Sequence, residues 1–277
     1  SHPPRWILLV HFLQLFATAA SPSGWFSNHA PGRALSSTFS AILSNRGDSD
    51  GPEKPLQFYI FVGGLCPFAG RTWILLLELD VPFDFNFVNF QDKPKSFLKI
   101  NPRGRVPAIY NPNDGVTVYE SAICNEYLCD YWNEPSDLMP SLPSERAKLR
   151  LLNDIFDNEV FPKVRVYIMS EEDDMMLQKE CADGLKQLEK SLGKGPYFMG
   201  DTFTVADVHV IPFFMRWIVQ LKQTKDFDIC KKYRRLMRWY QLCQQRPSVQ
   251  SATIPEDKIM EIHYSKLKLL KNTAAMK

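Results

Sequence analysis

The architecture of this 277-residue chain follows from one segment, Leu56-Gln-Phe-Tyr-Ile-Phe-Val-Gly-Gly-Leu-Cys66-Pro-Phe-Ala69. Its opening residues are mainly aromatic and β-branched, and two turn-forming glycines follow them, which predicts a buried strand. Pro67 suits the first position of a helix, where its missing N–H is not needed. Apolar residues with helical spacing continue to Leu79. The segment therefore predicts a strand, a turn and a helix, with Cys66 at or just before the start of the helix.

Cys66 is the candidate reactive group of the chain. Unpaired N–H groups and the positive end of the helix dipole stabilise an anion at a helix N-terminus, and a thiol placed there ionises more readily than a free one. Ala69 stands where a second cysteine would complete a CxxC pair. We therefore predict single-cysteine chemistry, in which Cys66 attacks a mixed disulfide and an external thiol releases it. An inert buried cysteine is the alternative on this motif alone.

The composition excludes several other functions. The chain has 33 basic and 31 acidic residues, so its net charge creates no strong positive electrostatic potential that would favour nucleic acid as a partner. The cysteines and histidines lack the ligand spacing of a zinc site, and we predict no metal. A hydrolase with a catalytic histidine is possible only through His209 or His263, because the other histidines lie in a predicted leader. The cysteines other than Cys66 are expected to be small apolar core residues.

The N-terminal residues have the character of a targeting leader. Residues 1–20 combine a basic start, an apolar run and a small-residue ending, as signal peptides do. Residues 21–55 resemble a transit peptide or form a disordered linker. Together they predict delivery to a plastid through the secretory route, and retention in the endoplasmic reticulum or plain secretion is the alternative.

Further short segments complete a small α/β domain over residues 56–133. The alternating run Phe83-Asp-Phe-Asn-Phe-Val-Asn89 predicts a second strand, so the intervening helix forms a βαβ unit. Ser121 is placed as the N-cap of a later helix. The other predicted elements are a third strand ending near Ile109, a hairpin turn at Asn113-Asp-Gly115, a fourth strand at Val116–Tyr119 and a helix from Ala122 to about Tyr131.

The second half of the chain reads as an all-helical domain over residues 144–270, after a linker rich in proline. Thr204-Val-Ala-Asp207 has the spacing of a capping box with Asp in place of the usual Glu, which predicts a structural role. The basic run Lys266–Lys271 predicts a solvated helix face. The helices are expected at Leu149–Val160, Leu177–Leu192, about 232–246 and about 256–270.

Motifs in the first domain carry a resemblance to a known family. They are Cys66-Pro-Phe-Ala69, Asp92-Lys-Pro94, Asn101-Pro-Arg-Gly-Arg-Val-Pro107 and Tyr119-Glu-Ser-Ala-Ile123. In order and spacing they resemble the glutathione site of cysteine-type glutathione transferases of the omega and lambda classes, and Val210–Trp217 resembles the lambda class more. The resemblance implies a thioredoxin-like α/β domain followed by an all-α domain, with glutathione as co-substrate.

The resemblance also implies a role for each matching residue. Cys66 resembles the family's catalytic cysteine, which forms a disulfide with glutathione. Val106 matches the residue whose backbone pairs with the cysteinyl unit of glutathione. It precedes Pro107, which matches a proline that is cis in this fold. Glu120 and Ser121 match the pair that holds its γ-glutamyl end.

The remaining candidate residues lie around this centre. Lys93 matches a lysine that reaches the glycyl carboxylate, and a surface lysine is the alternative. Phe68 resembles an apolar wall of the site. Phe213 and Trp217 are candidates for a second-substrate pocket, and membership of the core is the alternative for both.

The function implied is that of a glutathione-dependent thiol transferase or reductase. It would remove glutathione from small-molecule or protein mixed disulfides, or reduce dehydroascorbate, as a monomer or homodimer. Conjugation to electrophiles should be poor, because a cysteine captures glutathione where other classes stabilise its thiolate with a Tyr or Ser hydroxyl. The alternatives are a non-enzymatic ligand carrier and a chloride-channel-like or scaffold protein. Residues 56–277 contain no apolar run of membrane length, so we expect no stable membrane insertion of the mature chain.

Overall fold

The computed structural model describes residues 54–63, 66–132, 137–171 and 174–275. Residues 1–53, which hold nearly all of the predicted leader, lie outside these ranges. The signal-like and transit-like segments and the destination therefore stay predictions.

A four-stranded mixed sheet forms the first domain. The strand order is β2-β1-β3-β4, with β1 parallel to β2 and antiparallel to β3, and β3 antiparallel to β4. The parallel pair requires a crossover, which the helix after β1 provides. The strands are β1 (Leu56–Phe61), β2 (Phe83–Val88), β3 (Ala108–Asn111) and β4 (Val116–Tyr119).

Three helices pack with this sheet, and the first begins where the sequence predicts. They are α1 (Pro67–Glu78), α2 (Lys95–Ile100) and α3 (Ser121–Tyr131). The prediction of Ser121 as the N-cap of α3 is wrong by one residue. Glu120 is the N-cap, in the left-handed region at φ 71°, and Ser121 is the first helical residue because its hydroxyl accepts a hydrogen bond from Arg71 instead of capping the helix.

The rest of the described chain is helical, as predicted, with one irregularity. The segment predicted as one α-helix, Leu149–Val160, ends in a π-helical turn at Phe156–Val160, and a further α-helix follows this turn directly. The helices are α4 (Pro143–Ile155), α5 (Phe161–Met169), α6 (Met175–Ser191), α7 (Val205–Lys225), α8 (Ile229–Lys232), α9 (Arg234–Gln244), α10 (Pro247–Ser251) and α11 (Glu256–Ala275).

Helix α7 is the centre of the helical domain, and α1 packs directly against it. A Cβ added at Gly70 would lie 3.1 Å from the Cβ of Pro212, closer than ordinary contacts between these atoms. This close approach accounts for a glycine in the middle of α1. The two domains therefore share one continuous apolar core.

Two expectations about cysteines and membranes can be compared with this fold. Cys124, Cys181 and Cys243 are buried, as expected for core residues, whereas Cys230 is exposed on α8 and the prediction is wrong there. Within the described ranges, none of the helices is both long enough and apolar enough to cross a bilayer.

Candidate active site

A cleft of about 220 Å³ lies between the sheet domain and the helical domain. Residues from α1, the loop before β3, the start of α3 and helices α5, α7 and α11 line it. Most of the sequence-predicted site residues border this cleft: Cys66, Phe68, Val106, Pro107, Glu120, Ser121, Phe213 and Trp217.

Cys66 is the N-cap residue of α1, as the sequence predicts. Its backbone is extended (φ −83°, ψ 118°), and Pro67 occupies the first turn. The Cys66 carbonyl accepts the helical hydrogen bond from Gly70 N at 3.0 Å. Cys66 is partly exposed and borders the cleft, and its sulfur lies 3.9 Å from the carbonyl oxygen of Val106. An anion at this sulfur would therefore lie at the positive end of α1.

The loop that faces Cys66 is held by its own polar residues. The Val106–Pro107 peptide bond is cis, as the resemblance implies. Asn101 donates from Nδ2 to the carbonyl of Arg105 at 2.7 Å. Gly104 turns the chain at φ 60°, a conformation that favours glycine. The loop thereby brings the backbone of Val106 to the mouth of the cleft.

Glu120 and Ser121 lie together at the start of α3, at the edge of the cleft. The Glu120 carboxylate pairs with Arg103 at 2.6 Å in an exposed position. Ser121 is buried, and its hydroxyl accepts from Arg71 Nη1 at 3.1 Å. The carboxylate and the free N–H groups of the first turn are suited to an ammonium and a carboxylate respectively.

Behind these residues Arg71 forms a buried polar network. It is 1% exposed, and it donates to the backbone carbonyl of His209 and to Asp157 Oδ1, both at 2.7 Å. Burial raises the pKa of Asp157, but the approach of His209 Nε2, 3.1 Å from Asp157 Oδ1, and the charge of Arg71 outweigh it and hold that pKa below its usual range. Burial, and secondly the charge of Arg71, lower the pKa of His209 to about 4. Asp157 is therefore ionised and His209 neutral at physiological pH.

Lys93 lies beside the cleft and is not among the residues that line it. Its Nζ lies over the ring of Phe90, 4.5 Å from the centroid. Its side chain lies along Gly104, where an added Cβ would come within 3.2 Å of Lys93 Cδ. Burial, then the charge of Arg105, lowers the pKa of Lys93. Phe90 lines the cleft, so the ammonium lies close to its edge.

The aromatic candidates are core residues that also border the cleft. Phe213 and Trp217 are 1% and 3% exposed. The ring of Phe68 meets the ring of Phe213 edge to face, with centroids 4.9 Å apart. Phe213 and Trp217 therefore belong to the core and also border the cleft, so the structure is compatible with both interpretations, core residue and pocket residue.

Sequence reasoning missed a group of cations in the cleft. Arg105, Arg165, Arg216 and Lys266 all line it, and Lys266 is partly buried although a solvated helix face was expected. The sequence did contain a pattern that indicates the position of Lys266. Ile259, Ile262 and Lys266 have helical spacing, which places Lys266 on the same face of α11 as the two isoleucines.

Burial dominates the electrostatics of this group. It lowers the pKa of Arg216 to about 10 and, together with the nearby charge of Arg165, that of Lys266 to about 8. Burial also lowers the pKa of Arg165. Negative charge on Cys66 acts in the opposite direction on all three groups, so the sulfur and these cations belong to one electrostatic site.

The fold is a thioredoxin-like α/β domain joined to an all-helical domain, with a cysteine at the start of α1 beside a cis-proline loop. The family described as "Glutathione S-transferase, N-terminal domain" matches residues 65–130, and "Glutathione S-transferase, C-terminal domain" matches residues 160–252. The chain belongs to the glutathione S-transferase family, which uses glutathione as a substrate.

Individual relatives agree with this assignment. Glutathione S-transferase U22 of Arabidopsis thaliana is 30% identical over 72% of this chain and 90% of its own length. The crystal structure of glutathione transferase Omega 3C from Trametes versicolor superposes with a TM-score of 0.68 at 26% identity, over 86% of this chain and 97% of that one. The structure of rice GST1 in complex with glutathione gives a TM-score of 0.71 at 24% identity, over 79% and 98% of the two chains.

Proposed function

We propose that this protein is a glutathione-dependent thiol transferase in which Cys66 is the reacting group. The observation that carries the proposal is the position of Cys66, at the N-cap of α1 and at the border of the cleft. Backbone N–H groups of the first turn and the cations of the cleft stabilise negative charge on its sulfur. Activation of this nucleophile needs no histidine.

The reaction proceeds in two exchanges. The Cys66 thiolate attacks the glutathione sulfur of a mixed disulfide, the disulfide bond breaks, and the partner thiol leaves as a thiolate that takes a proton from water. A second glutathione, as its thiolate, then attacks the Cys66–glutathione disulfide. Oxidised glutathione leaves and the Cys66 thiolate is restored. One glutathione is thus oxidised while the mixed disulfide is reduced.

The sheet domain supplies the groups that would hold glutathione. The Val106 backbone would pair with the cysteinyl unit, and the Glu120 carboxylate and the first turn of α3 would hold the γ-glutamyl end. The Lys93 ammonium lies near the cleft edge, where its charge would attract the glycyl carboxylate. Phe68 closes the apolar side.

The cysteine also supports membership of a cysteine-type class, related to the omega and lambda classes. A thiolate on the protein captures glutathione as a disulfide, whereas conjugation requires the thiolate of glutathione itself. The similarity to the fungal omega structure supports this class, while the curated plant relatives carry U designations. We therefore expect high thiol transfer and low conjugation.

The test is to replace Cys66 by Ser and measure release of glutathione from a mixed disulfide with hydroxyethanethiol. Thiol transfer should fall to the uncatalysed background, because a serine hydroxyl cannot form the intermediate disulfide. Cys230→Ser is the matched control, since Cys230 is the exposed cysteine of α8, and it should keep full activity. Equal rates for the Cys66→Ser variant and the wild type would refute the proposal.

A ligand carrier is the second candidate, because aromatic side chains such as Phe161, Phe213 and Trp217 line the cleft. A carrier would bind its ligand without bond exchange. Cys66→Ser would then leave ligand affinity unchanged, and wild-type protein would show no thiol transfer above background.

A further inference from the structure

The two exchanges proposed at Cys66 each require a proton to move. The leaving thiol departs as a thiolate, and the second glutathione arrives as a thiol whose thiolate is the nucleophile. An ordinary thiol has a pKa of about 8.5, so most of each thiol is protonated at neutral pH. Water supplies and removes these protons unless a side chain of the cleft does so. A single side chain that gives a proton in the first exchange and takes one in the second would serve both steps.

Both protons move at the same place in the cleft. In a thiol–disulfide exchange the attacking, central and leaving sulfurs lie roughly in a line, because the attacking electron pair enters opposite the bond that breaks. The leaving thiol therefore departs on the side of the glutathione sulfur that faces away from Cys66, and the second glutathione must enter from that side. The groups proposed to hold the first glutathione, namely Lys93, Val106 and Glu120, all belong to the sheet domain. The opposite wall, formed by the helical domain, is thus where a proton-transfer group must lie.

Lys266 is the side chain of that wall that can exchange a proton. It lies on α11, is partly buried and lines the cleft. The ionisable side chains among the described residues that line the cleft are Cys66, Glu120, Lys266 and three arginines. A guanidinium keeps its proton in proteins, and Glu120 belongs to the sheet domain and pairs with Arg103 at 2.6 Å. Elimination therefore leaves Lys266.

The electrostatic surroundings of Lys266 suit a proton-transfer role. The groups with which it interacts are Arg165 on α5, Arg216 on α7, Cys66 at the start of α1, and His263, one turn earlier on α11. Burial, and next the charge of Arg165, lower the pKa of Lys266 to about 8, whereas negative charge on Cys66 acts in the opposite direction. Burial, and next the charge of Lys266, lower the pKa of His263 to about 4, so His263 is neutral at physiological pH. A lysine pKa close to that of a thiol allows proton transfer in both directions.

We propose that Lys266 is a further catalytic residue of the thiol exchange, which donates a proton to the leaving thiolate and accepts one from the incoming glutathione. The inference rests on the proposed function of Cys66. In the first exchange the disulfide of the substrate breaks, the Cys66–glutathione disulfide forms, and the leaving thiolate takes a proton from the Lys266 ammonium. In the second exchange the neutral amine takes the proton of the second glutathione, whose thiolate attacks the bound glutathione sulfur. Oxidised glutathione leaves, the Cys66 thiolate is restored, and Lys266 is again an ammonium.

The first test varies the leaving thiol between two mixed disulfides of glutathione that carry nearly the same aromatic body. Nitrothiophenol leaves as a thiolate that the ring stabilises, so its departure needs no proton. Nitrobenzyl thiol has a CH₂ group between ring and sulfur, behaves as an ordinary alkyl thiol, and must gain a proton at neutral pH. Release of each thiol in a single turnover is measured by rapid quench. Lys266→Met should release nitrobenzyl thiol about a hundredfold more slowly than the wild type, the low end of the effect of a positioned acid, and should release nitrothiophenol nearly as fast.

Two further variants separate proton transfer from charge and from packing. Lys266→Arg keeps the positive charge and cannot release its proton at neutral pH, so it should be as slow with nitrobenzyl thiol as Lys266→Met. Lys268→Met is the matched control, because it removes a lysine from an exposed position on the same helix, and it should match the wild type with both substrates. A loss of charge or a shift in packing near Cys66 changes both releases together, so the ratio of the two rates isolates the proton.

The second exchange gives an independent readout, which is its dependence on pH. The Cys66–glutathione disulfide is formed first, the excess reagent is removed, and the adduct is mixed with glutathione. Oxidised glutathione should form about a hundredfold more slowly in Lys266→Met than in the wild type at neutral pH. The difference should shrink as the pH rises past about 8.5, because glutathione then ionises without a base.

The outcomes separate this inference from the proposed function. Release of nitrothiophenol by the wild type, and its absence in Cys66→Ser, support the function of Cys66 whatever Lys266 does. Equal ratios of the two release rates in the wild type and Lys266→Met, or a normal ratio in Lys266→Arg, would overturn the proton transfer and leave the proposed function standing. No release of either thiol by the wild type would overturn both.

Discussion

Arg71 shows how strongly the cleft depends on a side chain that lies behind its lining. Its guanidinium holds the Ser121 hydroxyl, the Asp157 carboxylate and the His209 carbonyl. It thereby joins the start of α3 to the π-helical turn and to α7. A single buried cation thus orients the helix start at which the γ-glutamyl end of glutathione is proposed to bind.

The pKa of His209 predicts how stability changes with pH. The folded pKa is about 4 against 6.5 for an ordinary histidine, so between these values only the unfolded chain binds the proton. The free energy of unfolding therefore falls as the pH drops from about 6.5 to about 4, and His209 contributes up to about 3 kcal/mol of that fall. Urea unfolding of wild type and His209→Gln across this range measures the contribution.

The His209→Gln chain should show a slope of unfolding free energy against pH that is smaller by nearly one proton. Asp207 acts with the opposite sign, because burial raises its pKa to about 6 and the folded chain holds its proton longer. Its contribution is present in both proteins and cancels in the comparison. Identical slopes would show that His209 is protonated in the folded state.

At the level of elements, the start of α7 is held by a reciprocal side-chain cap. Thr204 and Asp207 form the predicted capping box. The Asp207 carboxylate also accepts from Phe198 N at 3.1 Å and from Trp239 Nε1 at 2.8 Å. The carboxylate thus ties the loop before α7 and helix α9 to the central helix, which supports a structural role.

Substitutions at this capping box should change stability and leave the chemical step intact. Thr204→Ala should lower the free energy of unfolding by about 1 kcal/mol, the usual cost of a lost N-cap. Asp207→Ala should cost about 3 kcal/mol or more, because it leaves several buried donors without an acceptor. Urea unfolding gives both values, and kcat per folded molecule should match the wild type. An unchanged stability for Asp207→Ala would contradict this account.

At the scale of the whole molecule, two bidentate ion pairs connect the sheet domain to the helical domain, and they differ in how deeply their side chains are buried. Glu78 at the end of α1 accepts from Arg246, just before α10, at 2.8 and 2.5 Å, and its side chain is 9% exposed. Glu126 on α3 accepts from Arg150 on α4 with both bonds at 2.8 Å, and both side chains are partly exposed. The pairs have the same chemistry and differ in burial.

The difference in burial predicts a difference in stability. Arg246→Met should lower the free energy of unfolding by about 2–3 kcal/mol, because it leaves the buried Glu78 carboxylate without its cation. Arg150→Met, the matched control, should cost clearly less, because exposed pairs contribute little to stability. Equilibrium unfolding in urea measures both, and equal losses would mean that burial does not govern the strength of these pairs.

Local patterns were enough to predict the features that depend on neighbouring residues. Pro67 after Cys66 predicted the helix start, Thr204 with Asp207 predicted the capping box, and apolar spacing predicted α6 and α9 to within two residues at each end. The position of Ser121 was missed by one residue, because a distant arginine and not the adjacent backbone takes its hydroxyl. The π-helical turn at Phe156–Val160 was missed because it differs from an α-helix by a single inserted residue.

The sequence by itself determined the four strands, several of the longer helices, the two-domain order and the place of Cys66 at a helix start, because hydrogen bonds between near neighbours and the periodicity of apolar residues control these. Only the tertiary structure decided which charges share the cleft. Arg165, Arg216 and Lys266 are separated by about fifty residues at each step along the chain, and they meet because three amphipathic helices bury their apolar faces against one core. A local sequence pattern cannot predict that these three side chains come together, because their proximity depends on how whole helices pack.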